Sequence, residues 1–298
     1  MIDKKKIIPK WKVLLLASRP KTLPAAFAPV FVGSSIAINE NSFKFLNAFI
    51  ALVCSILIQV GTNYVNDLYD FLAGTDTKER IGPMRALASG LITVREMKMA
   101  IYFTFSVVFF LGLYLVYDSS YWILLVGILS ILAGIAYTAG PYPLAYHALG
   151  DLFVFLFFGL VGTMGSYYIQ SNNLNWLSLF SAIPVGLLIT NILVINNYRD
   201  IDEDKLNNKI TLAVKIGRTA SKIQYIISIF ISYASLLVIY FYLLKKYSVL
   251  MPFVLIPVAI VLIKMVLTTQ GKKLNKTLAL TAGFSAIFSL LLAIGIAI

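Results

Sequence analysis

The chain has 298 residues, of which 59% are hydrophobic and only 13% charged, and its mean hydropathy is +0.86. A soluble domain of this size carries about 25% charged residues, so the composition excludes an ordinary soluble protein. The net charge of +12 lies in short segments between apolar runs, which points to membrane orientation rather than to nucleic acid. The single cysteine, Cys54, excludes an internal disulfide, and the single histidine, His147, excludes a histidine-cluster metal site.

Residues 1–21 are basic and lead straight into an apolar run without a small-residue cleavage site, so no cleavable signal peptide is expected. Nine apolar spans follow, at about 22–39, 44–66, 98–117, 120–139, 150–170, 176–197, 222–244, 248–267 and 277–297. In lipid each must be a helix, because its backbone groups find no water to bond. The expected fold is therefore all-α: one polytopic membrane domain of nine transmembrane helices over residues 1–298.

Lysines and arginines set the orientation. Twenty-two of the 25 fall on one side of the alternating spans, and Lys44, Lys245 and Lys246 fall on the other. The basic side is expected to face the cytoplasm, with the N-terminus there and the C-terminus outside.

Nine of the 13 acidic residues lie at 67–96 and 200–204, in and just beside two segments on the basic side. The first, from Gln59 to Gly90, reads QVGTNYVNDLYDFLAGTDTKERIGPMRALASG. Here Gln59, Asn63 and Asp67 recur every four residues, and Asn66 and Asp70 form a second row beside them. The second segment begins NNYRDIDEDKLNNK at Asn196 and places Asn196, Asp200 and Asp204 in a similar row. Gln59, Asn63 and Asn196 sit a turn or more inside apolar spans, where polar groups are costly and usually functional. Helix capping accounts for either row alone. Two rows at one membrane face read instead as a shared pocket that holds Mg²⁺ against a diphosphate, since this ion takes one or two carboxylates plus phosphate oxygens and water. Lys78, Arg80 and Arg85 follow the first row, and Arg199, Lys205 and Lys209 flank the second. All are candidates for phosphate contact, with loop charge as the plain alternative. His147, in the loop GPYPLAYHALGD, is a candidate for orienting an aromatic acceptor, and Tyr137 for lining its site. No Walker-type phosphate loop, CxxC or nucleophile–base pair is present.

These residues resemble the UbiA superfamily of intramembrane prenyltransferases, in its 1,4-dihydroxy-2-naphthoate polyprenyltransferase branch. Four blocks carry the resemblance in order: RPKTLPAAFAPVFVG from Arg19, NDLYDFLAGTDTKERIGPMRALASG from Asn66, YTAGPYPLAYHALGDLFVFLFFG from Tyr137 and NNYRDIDEDKLNNKITLAVKIGR from Asn196. Beyond about Ser221 the chain matches only as hydrophobic spans. Many members place the last acid of the first motif where Gly74 stands, and that role moves to Asp76 here.

The resemblance implies a central cavity capped by the two motif loops. It implies metal ligation by Asn66, Asp70, Asp76, Asp200 and Asp204, with Mn²⁺ an expected substitute for Mg²⁺. It implies catalysis by Asp67, Asp70, Asp200, Asp204 and Arg199, and substrate contact by Asn63, Asn66, Lys78, Arg80, Arg85, Tyr137, His147, Asn196, Asn197, Lys205 and Lys209. The expected reaction joins a polyprenyl group from its diphosphate to 1,4-dihydroxy-2-naphthoate, with loss of CO2 and diphosphate, in a bacterial plasma membrane. Another acceptor (4-hydroxybenzoate, homogentisate or haem) stays open at this point. A divalent-cation transporter is the rival of another class. Its ionisable site would lie at mid-depth, whereas the acids here gather at one face.

Overall fold

The computed structural model describes residues 8–74 and 85–298. It is helical throughout, and its one extended pairing is the isolated bridge between His147 and Ile210. In chain order the helices are α1 (Lys10–Ala17), α2 (Pro24–Asn39), α3 (Phe45–Leu72), α4 (Val94–Asp118), α5 (Trp122–Ala136), α6 (Gly150–Ser171), α7 (Trp176–Arg199), α8 (Ile201–Leu206), α9 (Leu212–Leu244), α10 (Tyr247–Thr268) and α11 (Gly271–Ala297). Seven of them, α3, α4, α6, α7, α9, α10 and α11, are long and apolar enough to cross a membrane. The shorter α2 and α5 are apolar helices of 16 and 15 residues. Every expected span thus has a helix, while only seven reach full crossing length.

Local chemistry sets the boundaries. Thr93 and Glu96 close a reciprocal capping box at the start of α4, and Asn175 and Ser178 do so at α7. The Thr211 hydroxyl caps Val214 N–H, so α9 begins well before the expected residue 222 and bends at Gly217, whose φ is +81°. α3 runs to Leu72, past the expected end at 66, so the first acid row stands on helix rather than loop.

The bundle is uneven. α7 is its axis, with 72% of its most apolar window buried, whereas α5 has no buried residue. The main core joins α2, α6, α7, α9 and α11 through Ile36, Tyr167, Leu188, Ile195, Tyr225 and Phe288. A second core packs Val13 of α1 and Leu68 of α3 against Leu87 and Met97. In lipid, helices associate through close packing of small residues rather than through apolar burial. Gly159 of α6 lies against Gly186 of α7, and a Cβ on either would stand 2.8 Å from the other's Cα. Tyr117, Tyr121, Trp122, Trp176, Tyr242 and Tyr247 are exposed at the end of the bundle away from the acid rows. This is the interfacial aromatic belt of a membrane protein.

Candidate active site

The last turns of α3 present Asn63, Asn66, Asp67 and Asp70, all buried. Asn63 donates to the Ser18 carbonyl at 2.9 Å and Gln59 to the Thr22 carbonyl at 2.9 Å, so the inner polar residues of α3 fasten the α1–α2 turn. In that turn Arg19 has a left-handed backbone, with φ +55°. Asn66 accepts from the Thr138 hydroxyl at 2.8 Å. The carboxylate of Asp67 accepts from Ala86 N–H at 2.9 Å and Leu87 N–H at 3.2 Å, which clasps the returning loop onto the helix. Asp70 receives Arg85 Nη2 at 2.6 Å on one oxygen and the Tyr146 hydroxyl at 2.9 Å on the other.

The end of α7 supplies the second row. Arg199 binds both oxygens of Asp200 at 2.6 Å through Nε and Nη2, and both side chains are buried. Its other donors reach Asn275 Oδ1 at 2.6 Å and Asn196 Oδ1 at 2.9 Å. Asp204, buried on α8, lies 3.7 Å from Lys209 Nζ. That Nζ also stands 5.5 Å from the Tyr146 ring centroid. Tyr146 therefore ties the rows together, its hydroxyl on Asp70 and its ring under the lysine of Asp204.

Both rows open onto one cavity of about 880 Å³. Its head is lined by Asn63, Asn66, Asp67, Asp70, Arg85, Asn196, Asn197, Arg199 and Lys209, with Arg19, Tyr137, Thr138 and Asn275 beside them. Its body is an apolar corridor between α2, α3, α4, α5 and α6. Asp200 and Asp204 stand one layer behind Arg199 and Lys209 rather than on the wall. Among the described residues, no three Asp, Glu, His or Cys side chains gather closely enough to cage a metal unaided.

Several expected contacts fall elsewhere. His147 is exposed and off the cavity: its ring stacks on Tyr142 at 3.5 Å and its Nδ1 meets the Pro143 carbonyl at 2.8 Å. It packs within the loop and does not line the cavity. Lys205 is exposed on α8 and does not line the cavity. Asp67 lines the head of the cavity, but both of its carboxylate oxygens accept from the backbone of the returning loop. Asp76, Lys78 and Arg80 lie outside the described residues. The residue that the sequence left without a role is Arg19, whose signal was an Arg–Pro step before the first span; Tyr146, one of five tyrosines open to lining a prenyl or aromatic site, instead bridges the two rows. Thr138 and Asn275 carry no signal of their own, because chain contacts distant in sequence bring them in.

The sequence profile of the UbiA prenyltransferase family matches residues 26–294. The chain belongs to that family. Curated relatives agree. It is 40% identical over 221 residues to the 1,4-dihydroxy-2-naphthoate octaprenyltransferase of Escherichia coli (strain K12), covering 72% of each chain. It is 37% identical over 208 residues to the protein of the same name in Mycobacterium tuberculosis (strain ATCC 25618 / H37Rv), covering 70% of this chain and 71% of that one. UbiA prenyltransferase domain-containing protein 1 of Dictyostelium discoideum is 33% identical over 302 residues, covering 97% of this chain and 88% of that one. Among solved structures, a UbiA homolog from Archaeoglobus fulgidus bound to GPP and Mg²⁺ superimposes with a TM-score of 0.69 at 16% identity. That match covers 96% of this chain and 100% of the other, and it shows that this UbiA-family chain has the same fold.

Proposed function

We propose that this chain transfers a polyprenyl group from its diphosphate to 1,4-dihydroxy-2-naphthoate, releasing diphosphate and CO2 and giving demethylmenaquinol for menaquinone synthesis. The observation that carries the reading is one cavity with two jobs: a head of amide, carboxylate and cationic side chains, and an apolar body long enough for a prenyl chain. The names of the bacterial relatives support the acceptor.

The donor set suits Mg²⁺. Asn66 and Asp70 offer hard oxygens from the wall, and Asp200 and Asp204 would reach an ion once Arg199 and Lys209 turn to the diphosphate. The lack of a three-acid cage among the described residues fits an ion whose shell is completed by diphosphate and water. When bound, Mg²⁺ supplies Lewis-acid neutralisation of the leaving diphosphate. Arg85, Arg199 and Lys209 hold the carboxylates in register and offer donors to phosphate oxygens. As the allylic C–O bond breaks, Ile189, Ile192 and Leu193 beneath the head keep water from the carbocation. Tyr137 and Asn197 line the same head, and we assign them to the acceptor ring. The ring carbon bearing the carboxylate attacks, and the electrons of the breaking C–CO2 bond restore aromaticity.

In this reading all nine apolar helices cross the bacterial plasma membrane, with the N-terminus and the cavity head on the cytoplasmic side. The deciding experiment incubates the detergent-purified protein with 1,4-dihydroxy-2-naphthoate, a prenyl diphosphate and either Mg²⁺ or EDTA. Mg²⁺-dependent formation of the prenylated, decarboxylated naphthoquinol is the expected result. Diphosphate release with no such product from any naphthoate would overturn the acceptor, and no release at all would overturn the transferase.

A further inference from the structure

From Ala51 to Asp70 the cavity follows α3 for about 28 Å of helix rise, close to the hydrocarbon thickness of a bilayer, about 30 Å. Of the helical glycines that line it, three stand nearest its far end: Gly112 of α4, Gly127 of α5 and Gly165 of α6. Each stands five or six residues from the distal end of its helix, about 8 Å of rise, so the three occupy one level.

Glycine inside a helix weakens it, and a packing glycine offsets that by admitting a neighbour. Gly33, Gly159, Gly186 and Gly295 do so here, since a Cβ at any of them would collide with another helix. At Gly112, Gly127 and Gly165 an added Cβ meets nothing within 4 Å. No neighbouring side chain explains these three, and what they face is the corridor.

We infer that Gly112, Gly127 and Gly165 form an open tier that sets the length of prenyl chain the protein accepts. The inference rests on the proposed transferase activity and adds the determinant of donor length. A short donor ends above the tier, near the polar head. The distal isoprene units of a long donor pass through it, and a side chain there would fill their space without touching the acid rows.

The test measures kcat/KM for geranyl diphosphate and for octaprenyl diphosphate with the wild type and with Gly112→Leu, Gly127→Leu and Gly165→Leu. Gly283→Leu is the control, because a Cβ there also meets nothing within 4 Å but the residue does not line the cavity. The ratio of long-donor to short-donor efficiency should fall about tenfold or more in the tier variants, as filling an apolar pocket does, and stay at the wild-type value in the control. Turnover of geranyl diphosphate reports that each variant is folded. For a variant that fails to fold, the corresponding alanine substitution is measured, and it should lower the ratio less but in the same direction. An unchanged ratio in all three positions, or an equal loss with both donors from folded protein, overturns the inference and leaves the transferase reading intact. A wild type inactive with both donors overturns the transferase reading first.

Discussion

Arg199 and Asp200 hold each other through two short hydrogen bonds in a buried setting. At a separation of about 4 Å and an effective dielectric near 20, such charges attract by about 4 kcal/mol, and stripping one partner from a buried pair costs about 3–5 kcal/mol. Arg199→Ala should therefore lose both turnover and thermal stability. The double variant Arg199→Met/Asp200→Leu should recover much of the stability and none of the turnover, and melting curves beside transfer assays separate the two effects. Asp70→Ala should cut turnover about a hundredfold or more, in the range seen when one preorganised electrostatic contact is removed, and should also lower the melting temperature, because it strips the partner from the buried Arg85. Asp67 belongs to another class. Its alanine variant strands the Ala86 and Leu87 N–H groups, at about 1–3 kcal/mol, and should open residues 85–90 to protease before it affects chemistry. The four-residue spacing of the acids made both rows legible in the sequence. What stayed hidden was which acid a returning loop would consume, and that Tyr146 would join the rows, since both depend on contacts between segments far apart in the chain.

At the scale of elements, the glycine contact between α6 and α7 holds the corridor wall to the axis of the bundle. Gly186→Leu would force a side chain into the backbone of α6 and should destabilise the protein by about 1–3 kcal/mol. Fluorescence-detected thermal unfolding in detergent measures it, and an unchanged midpoint would contradict the close packing. The apolar segments were legible as helices because a lipid-facing backbone has one solution, the helix, although only seven reach crossing length. Several boundaries were not, and two of them show why. α3 continues six residues beyond its apolar stretch because Asp67 and Asp70 find partners in the loop and in Tyr146 instead of ending the helix. α9 begins at Leu212 because Thr211 caps a polar first turn that hydropathy alone discards.

For the whole molecule, the imbalance of 22 basic residues against three predicts opposite locations for the two termini. The native thiol, Cys54, is buried, so a cysteine added at either end gives a clean signal. A thiol reagent that cannot cross the membrane should label the C-terminal cysteine in intact cells and the N-terminal one only after lysis. Labelling of both from one side would contradict the nine-span reading. Metal removal should separate function from fold: EDTA is expected to stop turnover and leave the melting temperature in place, because described carboxylates of both rows already have protein partners.

That last point has a wider consequence. With Arg85 on Asp70, Arg199 on Asp200 and Lys209 beside Asp204, the head of the cavity resembles a cation-exchange bed. With a metal–diphosphate complex bound, Asp70, Asp200 and Asp204 would hold the metal, and Arg85, Arg199 and Lys209 would be placed to pair with the anion. Loading and emptying would then leave the local charge nearly constant, and the protein can idle in a low-dielectric medium between turnovers without exposing a bare charge to it.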